Sequence, residues 1–301
     1  MFLLKKDRHP PLLLKVLEAL EKRKSLTTYE ADTKRRLLKG WQGEKLFDSM
    51  TENIPGHQFI LNDVRLNHRG TTFQIDTLLI RATEIHMYEV KYYDGDYFYE
   101  NGDFKLSSGS PILNPLHQLE RAKTLLTQFL EYHNFSLSVH AYLVFPHPQF
   151  FLYQAPPIRE FIFLSQWDQH VRNLGSSIPL PRYADALADL LSSLHKKDQP
   201  NSDFPSYHYD DFQKGLLCPG CHSPVHSETK VCTCDKCGST SSISSLVLQA
   251  AEELEALFPA DPLTTGRVYD WCERTVSKER IQRVLAGNFE QKGRYRGTYY
   301  V

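Results

Sequence analysis

Residues 74–91 read QIDTLLIRATEIHMYEVK and hold two apolar runs, 73–81 and 84–92, parted by a short break. Each run carries charge where an ordinary core strand carries none: Asp76 in the first, Glu89 and Lys91 in the second. Side chains on a strand alternate faces with period two, so Glu89 and Lys91 point the same way while Val90 points into the opposite layer. A carboxylate and an ammonium are therefore expected on one face of a rigid strand, with Asp76 approaching from the neighbouring strand.

Outward from these strands, the pattern predicts a short amphipathic helix over 11–23 and a second helix over 28–50. The region is locally basic, which suits either a solvated helix surface or contact with a phosphate backbone. Gly40 and Gly43 fall inside the second helix. Each costs about 1 kcal/mol there relative to alanine, which points to a boundary or to close backbone packing just before Glu44. A strand over 59–66, a turn at 67–70 and a hairpin around Asn101-Gly102 follow from alternation and turn residues. Helices are expected over 116–132 and 183–194, and strands over 138–145 and 161–164. This order gives an α/β core with a mixed sheet. Residues 196–215, polar and proline-containing, read as a linker.

Over 301 residues the composition is 41% hydrophobic and 24% charged, which is ordinary globular material sufficient for two or three domains. The net charge of -1 excludes a chain coated in basic residues, so any nucleic-acid contact must come from local patches. No apolar run approaches the roughly 18 residues of a membrane span, and the first apolar stretch is interrupted by Lys5, Lys6, Asp7 and Arg8. The expectation is a cytoplasmic protein with no membrane partner. There is no P-loop, dinucleotide glycine motif or H-E-x-x-H.

Glu44, Asp76, Glu89, Lys91 and Gln118 make a chemically coherent set. Two carboxylates on adjacent strands suit a divalent cation that prefers oxygen ligands, Mg²⁺ or Mn²⁺ in its place, with waters and phosphate oxygens completing the shell. Lys91 beside them is suited to positioning or activating the attacking water, or to stabilising charge on phosphorus. Glu44 and Gln118 would support the shell. Taken alone, Glu-x-Lys on a strand is a weak signal and reads more readily as an exposed cross-strand ion pair.

In their order, however, these pieces resemble the nuclease-related domain (NERD) family, a branch of the PD-(D/E)xK nuclease-like fold. The resemblance rests on Gly43-Glu44, Gln74-Ile75-Asp76, Tyr88-Glu89-Val90-Lys91, Tyr93-Asp94-Gly95 and Asn114-Pro115-x-x-Gln118, over about residues 38–150. The family often has a glycine-containing turn between its two central strands, where this chain has Arg81-Ala82-Thr83-Glu84. The resemblance implies a restriction-endonuclease-like mixed sheet flanked by helices. It also implies a Mg²⁺-dependent nuclease in which Asp76, Glu89 and Lys91 take the metal-and-water roles with Glu44 and Gln118 in support. A non-catalytic DNA-binding protein on the same fold is the alternative, and a zinc-stabilised scaffold for protein partners a third.

All six cysteines lie in the last third of the chain, five of them within residues 218–237. Cys218-Pro-Gly-Cys221 and Cys234-Asp-Lys-Cys237 are paired C-x-x-C knuckles suited to a closed, structural, tetrahedral Zn²⁺. The segment resembles a zinc ribbon, with Cys232 left as a spare thiol, His222 and His226 as surface histidines, and Cys272 as a buried helix cysteine. Farther on, Thr265 and Ser277 read as caps of two helices, the second ending at Gly287, and 288–301 as a hairpin turning at Gly293. This tail resembles a winged helix-turn-helix. Lys278, Arg280 and Arg283 fall on its second helix, and Lys292, Arg294 and Arg296 on its wing. Eight Lys/Arg against four Asp/Glu over 267–301 fit nucleic-acid contact, DNA ahead of RNA, or else a small packing module. The expected organisation is a helical arm (1–37), the nuclease-related domain (38–195), a linker (196–215), the zinc ribbon (216–242) and the winged-helix-like module (243–301).

Overall fold

The alternation of residues 71–90 produces the expected antiparallel pair, and the rest of a mixed α/β fold is assembled around it. The computed structural model describes residues 2–175, 178–196, 204–226 and 230–301. In chain order the elements are β1 (Phe2–Lys6), α1 (Leu12–Arg23), α2 (Thr28–Thr51), β2 (Gln58–His68), β3 (Thr71–Ile80), β4 (Glu84–Val90), β5 (Gly95–Glu100), β6 (Asp103–Leu106), β7 (Pro111–Ile112) and α3 (Pro115–Tyr132). There follow β8 (Ser138–Phe145), β9 (Phe150–Tyr153), β10 (Phe161–Phe163), α4 (Trp167–Leu174), α5 (Arg182–Ser193), β11 (Val231–Thr233), β12 (Thr240–Ser242), α6 (Ile243–Leu257), α7 (Thr265–Trp271), α8 (Lys278–Asn288), β13 (Gln291–Lys292) and β14 (Tyr299–Tyr300). Among the described residues no helix is long and apolar enough to cross a membrane.

The chain divides into two compact units: Met1–Pro10 with Leu38–Asp198, and Pro11–Leu37 with Gln199–Val301. Residues 1–37, grouped as one arm in the sequence, are thus shared between units. The first ten supply a strand to one, and α1 lends Val16, Leu17, Ala19 and Leu20 to the core of the other.

In the first unit a six-stranded mixed sheet runs β1-β2-β3-β4-β8-β10. β2, β3 and β4 are antiparallel neighbours, while β1 pairs parallel to β2, and β8 pairs parallel to both β4 and β10. One face packs against α3, α5 and a second sheet, β7-β6-β5-β9, through residues such as Ile85, Met87, Leu126, Leu187, Phe104 and Phe145. The other face carries Leu79, Tyr88 and Val90 against Phe47 of α2 and Trp167 of α4. β4 is covered on both faces, so it is buried along almost its whole length, His86 and Glu89 included. The link Arg81-Ala82-Thr83 closes the β3–β4 hairpin without glycine, with the Arg81 N–H donating to the Glu84 carbonyl at 3.0 Å.

In the second unit α1, α6, α7 and α8 enclose one core around Trp271, Leu254 and Ile281. Phe204, Tyr207, Tyr209 and Phe212, from the stretch that reads as a linker, pack into this core as well. β11 and β12 form a short hairpin around the second cysteine knuckle, and β13 and β14 another at the C-terminal end. The α7 cap is Thr264 rather than Thr265: its side chain accepts from the Arg267 N–H at 3.2 Å. α8 runs one residue past Gly287, and Gly293 opens a longer loop instead of a tight turn.

Candidate functional site

Glu89 and Lys91 leave one face at the carboxyl end of β4, as period-two alternation requires. Lys91 Nζ donates to Glu89 Oε1 at 2.7 Å and to Gln118 Oε1, in the first turn of α3, at 3.1 Å. Asn114 caps that turn by accepting from the Leu116 N–H at 2.9 Å, which fixes where Gln118 emerges.

Asp76 reaches the same place from β3. β3 and β4 pair only as far as Thr77↔Tyr88, so the Val90 N–H has no β3 ladder partner. The Asp76 carboxylate supplies one, with Oδ2 accepting from the Val90 N–H at 2.8 Å. Asp76 is 7% and Glu89 2% exposed. Each keeps one oxygen, Asp76 Oδ1 and Glu89 Oε2, with no hydrogen-bond partner among the described residues, and neither oxygen is sealed from solvent.

Glu44 comes from α2, on the opposite side of the sheet from α3. It is already engaged: Arg8 Nη1 donates to Glu44 Oε2 at 2.5 Å, and Arg8 also pairs with Asp48 one helical turn on. Arg8 and Asp48 were not among the sequence candidates. Asp48 had a signal, lying at i+4 from Glu44 on one helix face. Arg8 had none, since its partners lie 36 to 69 residues away.

The electrostatics show a site with surplus buried carboxylate. Burial and the Asp76 charge push Glu44 up to about 8, against the opposing effect of Arg8. Burial and Asp76 likewise push Glu89 up to about 8, with Lys91 opposing. Burial by itself would lower Lys91, but Glu89 and Asp76 more than offset this and hold its pKa above the ordinary lysine value. Carboxylates clustered in this way favour an added cation.

Glu44, Asp76 and Glu89 nevertheless do not bring their oxygens all within 4.8 Å of one another. The pair Asp76 and Glu89, each with one oxygen left over, is the hard-oxygen donor set that the structure offers. Two carboxylates and several waters is an ordinary arrangement for Mg²⁺.

The cysteines converge fully. The Sγ atoms of Cys218, Cys221, Cys234 and Cys237 lie within 4.8 Å of one another, the one such group of three or more potential ligands among the described residues. Each knuckle turns back through a residue with positive φ four positions after its first cysteine, His222 (57°) and Gly238 (72°). Matching bonds run from the His222 N–H to the Cys218 carbonyl (2.9 Å) and from the Gly238 N–H to the Cys234 carbonyl (2.8 Å). Cys232 turns away and approaches the His226 carbonyl. Four convergent thiols with no open ligand position suit a tetrahedral metal.

The basic residues of the tail are only partly gathered. Arg280 and Arg283 are one turn apart on α8, while Lys278 sits over the Tyr269 ring at 5.0 Å. Lys292 is paired with Glu290, Arg294 is exposed in the loop between β13 and β14, and the Arg296 side chain lies outside the described residues.

Residues 39–146 match the family model of the nuclease-related domain, NERD. The matched segment contains Glu44, Asp76, Glu89, Lys91 and Gln118, and leaves out Arg8. No curated protein and no solved structure matches the chain.

Proposed function

We propose that the protein is a Mg²⁺-dependent nuclease acting on DNA in preference to RNA, with Asp76 and Glu89 as the metal ligands. The observation that carries this is the arrangement at the end of β4. One ammonium is held between the Glu89 carboxylate and the Gln118 amide, beside a second buried carboxylate, and each carboxylate has an oxygen to spare. A bound divalent cation would neutralise phosphate charge and make a coordinated water more acidic. Lys91 positions or activates the attacking water, Gln118 fixes the lysine, and Glu44 supports the shell from α2.

On this reading the six-stranded sheet with helices on both faces is restriction-endonuclease-like. The four cysteines hold a structural Zn²⁺ in a ribbon. The three helices α6, α7 and α8 with the β13–β14 hairpin act as a winged-helix-like module presenting Lys278, Arg280, Arg283, Lys292, Arg294 and Arg296 to nucleic acid. The nuclease-related part then comprises Met1–Pro10 with Leu38–Asp198, the basic module shares its unit with Pro11–Leu37 and the cysteine knuckles, and the setting is cytoplasmic.

A non-catalytic nucleic-acid-binding protein is the second reading. It is favoured by the engagement of Glu44 with Arg8 and by the separation of Glu44, Asp76 and Glu89. One assay decides between them: labelled single- and double-stranded DNA and RNA, incubated with Mg²⁺ or EDTA. The expected result is Mg²⁺-dependent cleavage that is abolished by EDTA, by Asp76→Ala and by Lys91→Ala. Binding without cleavage selects the second reading, and cleavage surviving in both variants overturns the first.

A further inference from the structure

We infer that Arg8 is the positioning residue for the Asp76 carboxylate. Its consequence for catalysis rests on the nuclease reading, whereas the positioning itself rests on geometry alone.

β2 and β3 pair from Phe59↔Ile80 to Asn62↔Thr77 and again from Val64↔Ile75 to His68↔Thr71, skipping Asp63 and Asp76. Asp63 has a φ of 52° at that point. The alternation of faces breaks there too, since Ile75 and Leu78, three apart, both enter the core against α3. β3 also parts from β4 here, its last pair being Thr77↔Tyr88. A break of this kind leaves buried backbone groups needing partners. Two are met across the break: the Val90 N–H by Asp76 Oδ2 at 2.8 Å, and the Asp76 carbonyl by Arg8 Nη2 at 2.5 Å.

Arg8 also donates to Thr77 Oγ1 at 3.3 Å, and its fork is clamped on α2 by Asp48, through Nε at 3.0 Å and Nη2 at 3.1 Å, and by Glu44. Arg8 is 4% exposed. One planar guanidinium thus ties the broken point of β3 to two carboxylates of α2. A lysine, with a single point of charge, cannot span that set. Relaxed into a regular ladder, Asp63 and Asp76 would pair and the Asp76 side chain would lose its hold on Val90. Arg8 prevents this and so sets the direction in which the candidate metal ligand leaves the strand.

The test compares wild-type protein, Arg8→Lys, and Arg8→Met combined with Asp48→Asn, which avoids stranding the Asp48 charge should the single change fail to fold. Amide hydrogen exchange is read at Val90 and, as an internal reference, at Ile85 and Met87. The Val90 amide is expected to exchange about tenfold faster in both variants with the reference amides unchanged. The Mg²⁺ concentration for half-maximal cleavage is expected to rise about tenfold or more while KM for the nucleic acid stays constant. Unchanged Val90 exchange, or exchange accelerated uniformly along β4, overturns the inference and leaves Arg8 a purely structural residue. If the wild-type protein cleaves nothing, the nuclease reading fails, and Val90 exchange still decides the positioning.

Discussion

Gly43 of α2 lies directly against the side chain of Tyr92, so closely that a Cβ at position 43 would overlap the tyrosine Cβ and ring. Tyr92 follows Lys91 and also meets His147 edge-on at 4.7 Å, a contact it would have to give up to retreat. The glycine therefore sets the approach of the helix carrying Glu44 to the strand end carrying Glu89 and Lys91. Gly43→Ala gains about 1 kcal/mol of helix propensity but forces an overpacked contact costing typically 1–3 kcal/mol or more. Net destabilisation is expected in urea unfolding. Gly40→Ala, with nothing within 4 Å of the new methyl, should stabilise by about 1 kcal/mol. Shifts of the same sign in both variants would show that packing does not decide the matter.

Arg23 and Glu253 form a second buried ion pair, in the other unit, with side chains 1% and 2% exposed. Arg23 donates to Glu253 Oε2 from Nε at 2.9 Å and Nη2 at 2.6 Å, and from Nη1 to the Gln213 and Gly215 carbonyls, and it lies over the Trp271 ring. Glu253→Ala strands the buried Arg23 charge and should cost about 3–5 kcal/mol, whereas Arg23→Ala leaves Glu253 with Lys22 Nζ at 3.3 Å and should cost less. The double variant should cost clearly less than the sum of the two, and full additivity in a denaturation cycle would argue against the coupling.

The sequence made the central strands and their charged residues readable for a physical reason. Period-two alternation is local, and a carboxylate or ammonium inside an apolar run breaks a pattern visible over a few residues. Gln118 was readable because a helix start has its own markers, Asn114 and Pro115. Arg8 was not, because its role depends on a ladder break between β2 and β3 that no local pattern announces. β1 was missed as well: a five-residue strand pairing parallel to β2 depends on a partner more than fifty residues on. The aromatics of 204–212 were hidden in a polar, proline-containing stretch whose composition says linker while its Phe and Tyr side chains say core.

His170 supplies a pH dependence. Burial pushes its pKa down to about 4, with the neighbouring His86 adding to the effect, and its Nε2 lies 3.1 Å from the Tyr88 hydroxyl. The folded-state pKa lies below the unfolded value near 6.5, so the unfolded chain binds the proton first as pH falls. This group's contribution is therefore intact above about pH 6.5 and declines down to about pH 4, by roughly 1–2 kcal/mol once solvent screening of a half-buried ring is allowed for. Urea midpoints measured between pH 7.5 and 4.5 should fall less steeply for His170→Gln than for wild type. Parallel curves would remove His170 as the cause.

The four convergent cysteines predict one tightly bound zinc per chain. Cys218→Ser or Cys237→Ser should abolish stoichiometric zinc, whereas Cys232→Ser should retain it, because Cys232 points at the His226 carbonyl and away from the cluster. Cys218, Cys232 and Cys234 also belong to the core of the second unit, so chelation should loosen that core as well as empty the site. Metal analysis after dialysis, with circular dichroism before and after chelator, reads both effects. Zinc lost equally from Cys232→Ser would reassign the ligand set.

Lys91 and Gln118 should differ sharply in what their loss costs. Lys91 contributes a charge held on Glu89 at 2.7 Å, whereas Gln118 contributes one neutral amide oxygen at 3.1 Å. A charged group acting on the reacting phosphate accounts for about 10²–10⁴ in rate, so Lys91→Met should lose cleavage by that order. Gln118→Ala removes a hydrogen bond worth about 1 kcal/mol and should reduce the rate about fivefold to tenfold. Nucleic-acid affinity should be nearly unchanged in both, because on the proposed reading most phosphate contacts come from the basic residues of the tail. Single-turnover cleavage measured beside equilibrium binding separates the two quantities. If Lys91→Met lowers affinity in proportion to rate, the lysine is a phosphate anchor and takes no special part in the chemical step.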